Sequence, residues 1–248
     1  MKKYIYFTIL TLSSLIADEI NIAVASNVSY AMDELKREFA KENPDTKVEV
    51  TIGSSGKLTA QIRNGAPYGL FMSANMKYPN ALYSDRIAIT KPVVYTQGSL
   101  AYLSTKALDY TRGISLLLSD KIDKIAIANP KTAPYGMAAV EALKNAKIYD
   151  SVKSKFVYGE SISQTITYAV MAADIGLIAK SSLYSPKMKQ YREGINWVAV
   201  DPKLYTPINQ GLVLLKGSKG DRGYRLFYDF ILSDKAKTIF EKYGYSVK

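Results

Sequence analysis

Four short runs place hydroxyls, small residues and open backbone N–H groups at the start of a predicted helix. They are Ala25-Ser26-Asn27, Gly53-Ser54-Ser55-Gly56, Ala133-Pro134-Tyr135-Gly136 and Glu160-Ser161-Ile162-Ser163. The first N–H groups of a helix have no partner within it, and the helix dipole places partial positive charge at the same end. Each junction can therefore receive an anion. Ser and Asn are also the ordinary helix caps, so any single junction is explained without a ligand. Four in one chain make a shared anion site the sharper expectation. Such a site needs no charged side chain. A hydrogen bond to a charged group is worth roughly 1.5–3 kcal/mol, so about six or seven offset the costs of dehydration and ordering.

The run Ile52 to Ile62 comes near two catalytic motifs. A phosphate-cradling nucleotide loop requires G-x-x-x-x-G-K-[ST]. Here Thr51 stands at the first glycine position and Leu58 follows Lys57, so the motif fails twice. Ser54-Ser55-Gly56-Lys57 matches the S-x-x-K of serine acyl-enzymes, but S-D-N is absent and Lys131-Thr132-Ala133 is the nearest approach to K-T-G. An exported serine acyl-enzyme using Ser54 and Lys57 stands as the alternative from a different class. Lys57, a lone lysine in a first helical turn, is expected to face solvent. No local pattern proposes a carboxylate pair for glycoside hydrolysis.

Composition narrows the classes further. The 248-residue chain contains no Cys and no His. That excludes disulfides, thiolate metal sites, cysteine nucleophiles and a Ser-His-Asp triad. No protein side chain is expected to ligate a metal directly, no cofactor is expected, and the chain is not expected to be an enzyme. The net charge is +11, but the basic residues are scattered among acidic ones. No recognition helix or aromatic strand platform accompanies them, so nucleic acid is not an expected partner. Lys2 and Lys3, the mostly apolar run Ile5 to Ile16 and Ala17 ahead of Asp18-Glu19 read as a signal peptide over residues 1–17. With no Cys to carry a lipid anchor, a freely soluble periplasmic protein, expected to be a monomer, fits this start.

The elements that must position the four junctions alternate strand and helix. Strands are expected over 19–25, 47–52, 70–72, 93–104, 125–127, 156–158, 175–179, 197–200 and 210–215. Helices are expected over 29–42, 58–64, 78–85, 137–146, 163–173, 224–232 and 235–243. The helical face Met32, Leu35, Phe39 and the alternation Val48, Val50, Ile52 illustrate the two periods. The class is α/β with largely parallel sheets. Segments 93–100 and 198–207 are candidate crossings between two lobes, with residues 18–93 and 201–248 in one and 94–200 inserted as the other. A ligand cleft then lies between the lobes, beyond the carboxyl ends of the strands.

Several runs together resemble the substrate-binding protein of the bacterial molybdate ABC importer. They are Ala23 to Asn27, Gly53 to Ile62, Asn64-Gly65-Ala66-Pro67, Leu70 to Asn75, Asn129-Pro130, Pro134-Tyr135-Gly136 and the tail Phe240 to Tyr245. The resemblance implies a two-lobed periplasmic binding protein of type II-like fold that closes on molybdate or tungstate and delivers it to a membrane permease. A sulfate- or phosphate-type binder is the alternative within the class. The resemblance also implies neutral donors at Ser26, with Asn27 beside it, Ser55, Tyr135 and, through its backbone N–H, Ile162. The family often has a Tyr where this chain has Ala179, and Tyr135 can supply that phenol from another junction. Ser55→Ala is expected to weaken anion binding while leaving the fold nearly intact.

Overall fold

The computed structural model describes residues 18–247; the expected signal peptide lies outside the described residues. Two five-stranded sheets divide the chain. The first contains β1 (Asp18–Ala25), β2 (Thr46–Gly53), β3 (Leu70–Ser73), β4 (Val93–Gly98) and β10 (Ile208–Leu214) in the order β2-β1-β3-β10-β4. The second contains β5 (Leu100–Leu103), β6 (Ile125–Ala128), β7 (Phe156–Gly159), β8 (Ile175–Ala179) and β9 (Trp197–Ala199) in the order β7-β6-β8-β5-β9.

In each sheet three strands are parallel and the remaining pairings are antiparallel. The sheets are therefore more mixed than the alternating pattern predicts. The reason is the passage between lobes: β10 re-enters the first sheet from the crossing side and so runs against both β3 and β4. The expected strand over 93–104 is two strands in two sheets, with Ser99 between them. Residues 94–98 consequently pair within the first sheet, whereas the sequence reading assigns them to the inserted lobe.

The helices are α1 (Ser29–Ala40), α2 (Ser55–Arg63), α3 (Lys77–Ser84), α4 (Pro134–Asn145), α5 (Tyr149–Val152), α6 (Ile162–Met171), α7 (Arg222–Ile231) and α8 (Asp234–Lys242). A 3₁₀ turn, Ser26–Val28, leads into α1. Both faces of the first sheet are covered. On one side α1 contributes Met32, Leu35 and Phe39, α7 contributes Phe227 and Ile231, and α8 contributes Ile239 and Phe240. Phe39 meets Phe227 edge to face at 5.0 Å between ring centroids. On the other side Leu58 and Ile62 of α2 and Leu82 of α3 pack on Phe71 and Val213. In the second sheet Ala138, Ala139, Ala142 and Leu143 of α4 cover one face. Ile166 and Ala169 of α6 cover the other. Such double coverage explains why the central strands read as continuous apolar runs. No helix among the described residues is long and apolar enough to cross a membrane.

Candidate functional site

Three of the four helices at the junctions begin earlier than apolar periodicity predicts, and the added residues are the chemical ones. Helix α2 starts at Ser55 because the Ser54 hydroxyl caps it, accepting from Lys57 N at 3.4 Å. Helix α6 starts at Ile162 because Ser161 accepts from Gln164 N at 3.3 Å. Helix α4 starts at Pro134, whose fixed φ and missing N–H suit a first turn. Capping thus falls to Ser54 and Ser161, which leaves Ser55 and Ile162 at first helical positions with N–H groups that no intrahelical carbonyl can reach.

One small cleft gathers these junctions. Its lining includes Ser26, Asn27, Ser55, Tyr135 and Ile162, all five of the residues singled out in the sequence, together with Ser54, Gly53, Ala25, Ala74, Ala133 and Pro134. In this conformation it has room for about one water-sized group. No Lys, Arg, Asp or Glu lines it. Ser26, Asn27, Ser55, Tyr135 and Ile162 are all buried, which makes each hydrogen bond stronger than in water and each unmet donor costly.

The hydrogen bonds already made show what remains free. The Ser55 hydroxyl oxygen accepts from Ala74 N at 3.0 Å, so its hydrogen is available to the cavity. The Tyr135 hydroxyl oxygen accepts from Gln210 Nε2 at 3.3 Å, leaving its hydrogen equally available. Burial raises the Tyr135 phenol well above its ordinary pKa of 10.0, so it stays a donor. The Asn27 side chain is engaged elsewhere. Its Nδ2 donates to Gln210 Oε1 at 2.9 Å and to the Tyr245 hydroxyl at 3.0 Å. Both amide hydrogens are committed, so the Asn27 side chain has no donor left for the cavity.

The lobes meet around the cavity. Gly56 N donates to Thr132 O at 2.9 Å, Ser163 Oγ to Ser26 O at 3.3 Å and Ser181 Oγ to Asn27 O at 3.2 Å. A Cβ on Gly56 would lie 2.9 Å from the Thr132 backbone, so glycine permits this approach. The arrangement can hold a small anion between two lobes in a shell of neutral donors.

The family model described as bacterial extracellular solute-binding protein matches residues 20–246. The chain is 32% identical over 231 residues to the molybdate-binding protein ModA of Rhodobacter capsulatus, covering 92% of this chain and 88% of that one. The chain belongs to the ModA family of bacterial extracellular solute-binding proteins. It is also 32% identical to the Azotobacter vinelandii ModA over 234 residues, covering 94% of this chain and 91% of the relative. Among solved structures, the Azotobacter vinelandii periplasmic molybdate-binding protein superposes with a TM-score of 0.84 at 28% identity, over 92% of this chain and 99% of that one. The sulfate-binding protein SubI of Mycobacterium tuberculosis H37Rv, at 11% identity and a TM-score of 0.73 over 92% of this chain and 86% of that one, shares the fold.

In this ModA-family chain Ser54 and Lys57 do not form a nucleophile–base pair. Ser54 is a helix cap, and Lys57 Nζ pairs with Glu160 at 2.8 Å on the surface, both side chains more than half exposed. An exposed ion pair is worth at most about 1 kcal/mol. Lys57→Ala is therefore expected to change anion affinity by no more than about fivefold, as measured by calorimetric titration at physiological salt. A hundredfold loss would return Lys57 to the site.

Sequence reasoning missed Gln210, Tyr95 and Tyr245, which form the polar floor beneath Tyr135. Tyr95 OH donates to Gln210 Oε1 at 2.9 Å, and Tyr245 OH donates to Asn27 O at 2.8 Å. A glutamine inside a strand and tyrosines in a chain with 20 of them carry no local signal. The place of Ala179 is at the end of β8, fully buried, with Ser182 Oγ donating to its carbonyl at 2.7 Å.

Proposed function

We propose that the protein captures molybdate or tungstate in the periplasm and delivers it to the membrane permease of an ABC importer. It acts as a monomeric carrier and catalyses no reaction. The oxyanion is cargo, held by Ser26, Ser55, Tyr135 and the backbone N–H groups of Asn27 and Ile162, with no side chain ligating the metal atom. Residues 18–98 and 208–247 form one lobe and residues 99–207 the other, closing as two bodies about the crossings. The observation that carries the reading is the convergence of four helix N-termini and neutral hydroxyls on one cavity without a charged side chain. Neutral donors bind a dianion without a counter-charge, so release to a permease requires only that the lobes part.

Thermal unfolding with molybdate, tungstate, sulfate and phosphate tests the proposal. A ligand present at about a thousand times its dissociation constant stabilises by ~4 kcal/mol. Shifts with molybdate and tungstate are expected. A shift with sulfate or phosphate alone would reassign the cargo, and no shift with any of the four would sink the reading.

A further inference from the structure

We infer that Gln210 is a positioning residue that fixes the direction of the Tyr135 hydroxyl, so that its hydrogen faces the bound anion. The inference rests on the proposed oxyanion function and deepens it.

The assignment follows a relay of hydrogen bonds that begins at a group of unambiguous polarity. The Asn27 backbone carbonyl can only accept, and the Tyr245 hydroxyl lies 2.8 Å from it. A phenol has one hydrogen, so Tyr245 gives it there and must accept elsewhere. The side-chain atom of Asn27 at 3.0 Å from the same hydroxyl is then the amide nitrogen. The reverse amide orientation would set one hydroxyl between two acceptors and leave a buried amide N–H unserved. The observed one leaves only Asn27 Oδ1 without a partner, and an unserved carbonyl is the better tolerated of the two. The second Asn27 hydrogen meets Gln210 at 2.9 Å, so Gln210 presents Oε1 to it. The Tyr95 hydroxyl gives its hydrogen to the same oxygen, also at 2.9 Å. Gln210 therefore presents Nε2 to Tyr135, whose oxygen accepts at 3.3 Å. The Tyr135 hydrogen is left to the cavity that Tyr135 lines.

Two features of the backbone exist to make that contact. The pairing of β10 with β4 shifts register between Gln210 and Gly211, and a bulge of this kind re-aims a side chain. At Gly98, which pairs with Ile208 on the neighbouring strand, a Cβ would lie 2.0 Å from the Tyr135 hydroxyl and 2.7 Å from Gln210 Nε2. The hydrogen bond occupies the space that a side chain at position 98 would fill.

The test is calorimetric titration of molybdate into the full-length mature protein and two variants across pH 6 to 8.5. In Gln210→Glu the ionised carboxylate has no hydrogen to donate. It draws the Tyr135 hydrogen toward itself and turns a lone pair on the anion. The titratable groups named around this position are the phenols of Tyr95, Tyr135, Tyr205 and Tyr245, all neutral in this range, so a pH response belongs to the introduced carboxyl. Affinity is expected to fall at least about 100-fold at pH 8 and to recover as the pH is lowered, while the wild type stays flat. Gln210→Met keeps the length without the charge and is expected to lose less than about tenfold, independently of pH. Wild-type affinity in Gln210→Glu, or equal pH-independent losses in both variants, overturns the assignment. Should the glutamate variant fail to fold, a neutron structure of the wild-type molybdate complex decides directly: a Tyr135 hydrogen pointing at the anion supports the inference, and one pointing at Gln210 overturns it. Wild type that binds neither molybdate nor tungstate overturns the functional reading itself, whereas wild type that binds alongside unaffected variants overturns only the role of Gln210.

Discussion

Ser55→Ala is expected to weaken molybdate binding by about 10–150-fold and to lower the melting temperature of the unliganded protein as well. The first effect is the loss of one donor to a charged ligand, roughly 1.5–3 kcal/mol. The second comes from the other side of the same oxygen. Ser55 Oγ accepts from the buried N–H of Ala74 at 3.0 Å, and alanine leaves that N–H unsatisfied, at a cost of about 1–3 kcal/mol. For a chain of this size that corresponds to roughly 2–12 °C. The sequence alone suggests a variant with its fold nearly intact; the Ala74 contact changes that expectation. The helix itself should persist, since Ser54 remains its cap and Thr59 Oγ1 still donates to Ser55 O at 2.7 Å. Calorimetry for affinity and a thermal scan without ligand separate the two effects. An unchanged dissociation constant would remove Ser55 from the site, and an unchanged melting temperature would mean that water replaces its oxygen at Ala74.

Gly98→Ala should strongly weaken molybdate binding. The added carbon would sit 2.0 Å from the Tyr135 hydroxyl and 2.7 Å from Gln210 Nε2, and both residues are buried with no room to withdraw. Tyr135 belongs to the second sheet's lobe and Gly98 to the first, so that clash acts only when the lobes approach, whereas the closer fit to Gln210 Nε2 lies within the first sheet and is met by the far end of one side chain. Overpacking of this kind costs about 1–3 kcal/mol or more, and here it falls on the closed state. Apparent affinity scales with the fraction of protein able to close, so a loss of about 100-fold is expected. Each lobe should keep its fold. Small-angle scattering with saturating molybdate should show the variant more extended than the wild type. Adding Tyr135→Phe, which removes the nearest atom, should recover part of the loss although it also removes a donor. A Gly98→Ala protein that closes and binds like the wild type would show that Tyr135 is not held in place from below.

These two positions mark the division between local and distant information. Ser55 was legible because its neighbours announce it. A strand ending in Gly53, a capping Ser54 and a helix with Leu58, Thr59 and Ile62 inward form a pattern that short-range physics writes into consecutive residues. The same holds at Ser26, Tyr135 and Ile162, where strand gives way to helix. The α/β class and most element positions were legible for the same reason. The helix starts were misplaced by up to three residues because hydroxyl and glycine residues in a first turn carry no apolar period.

Gly98 and Gln210 were not legible. Gly98 looks like an ordinary strand glycine until Tyr135, 37 positions later in sequence, arrives from the other lobe to occupy its missing side chain. Gln210 is one of two adjacent polar residues in an otherwise apolar strand, and its partners Asn27, Tyr95 and Tyr135 come from three separate parts of the chain. The assignment of Val93–Gly98 to the first sheet depended in the same way on β10, which returns more than a hundred residues later. The sequence alone points to four helix N-termini able to hold an anion and, with no Cys and no His, leaves no residue for disulfide, thiolate or imidazole chemistry. The fold is what brings those four ends to one cleft and sets which hydroxyl oxygens there already accept from buried neighbours. Local periodicity and capping act over a few residues, whereas hydrogen-bond polarity in a buried site is set by every group that the fold brings into contact.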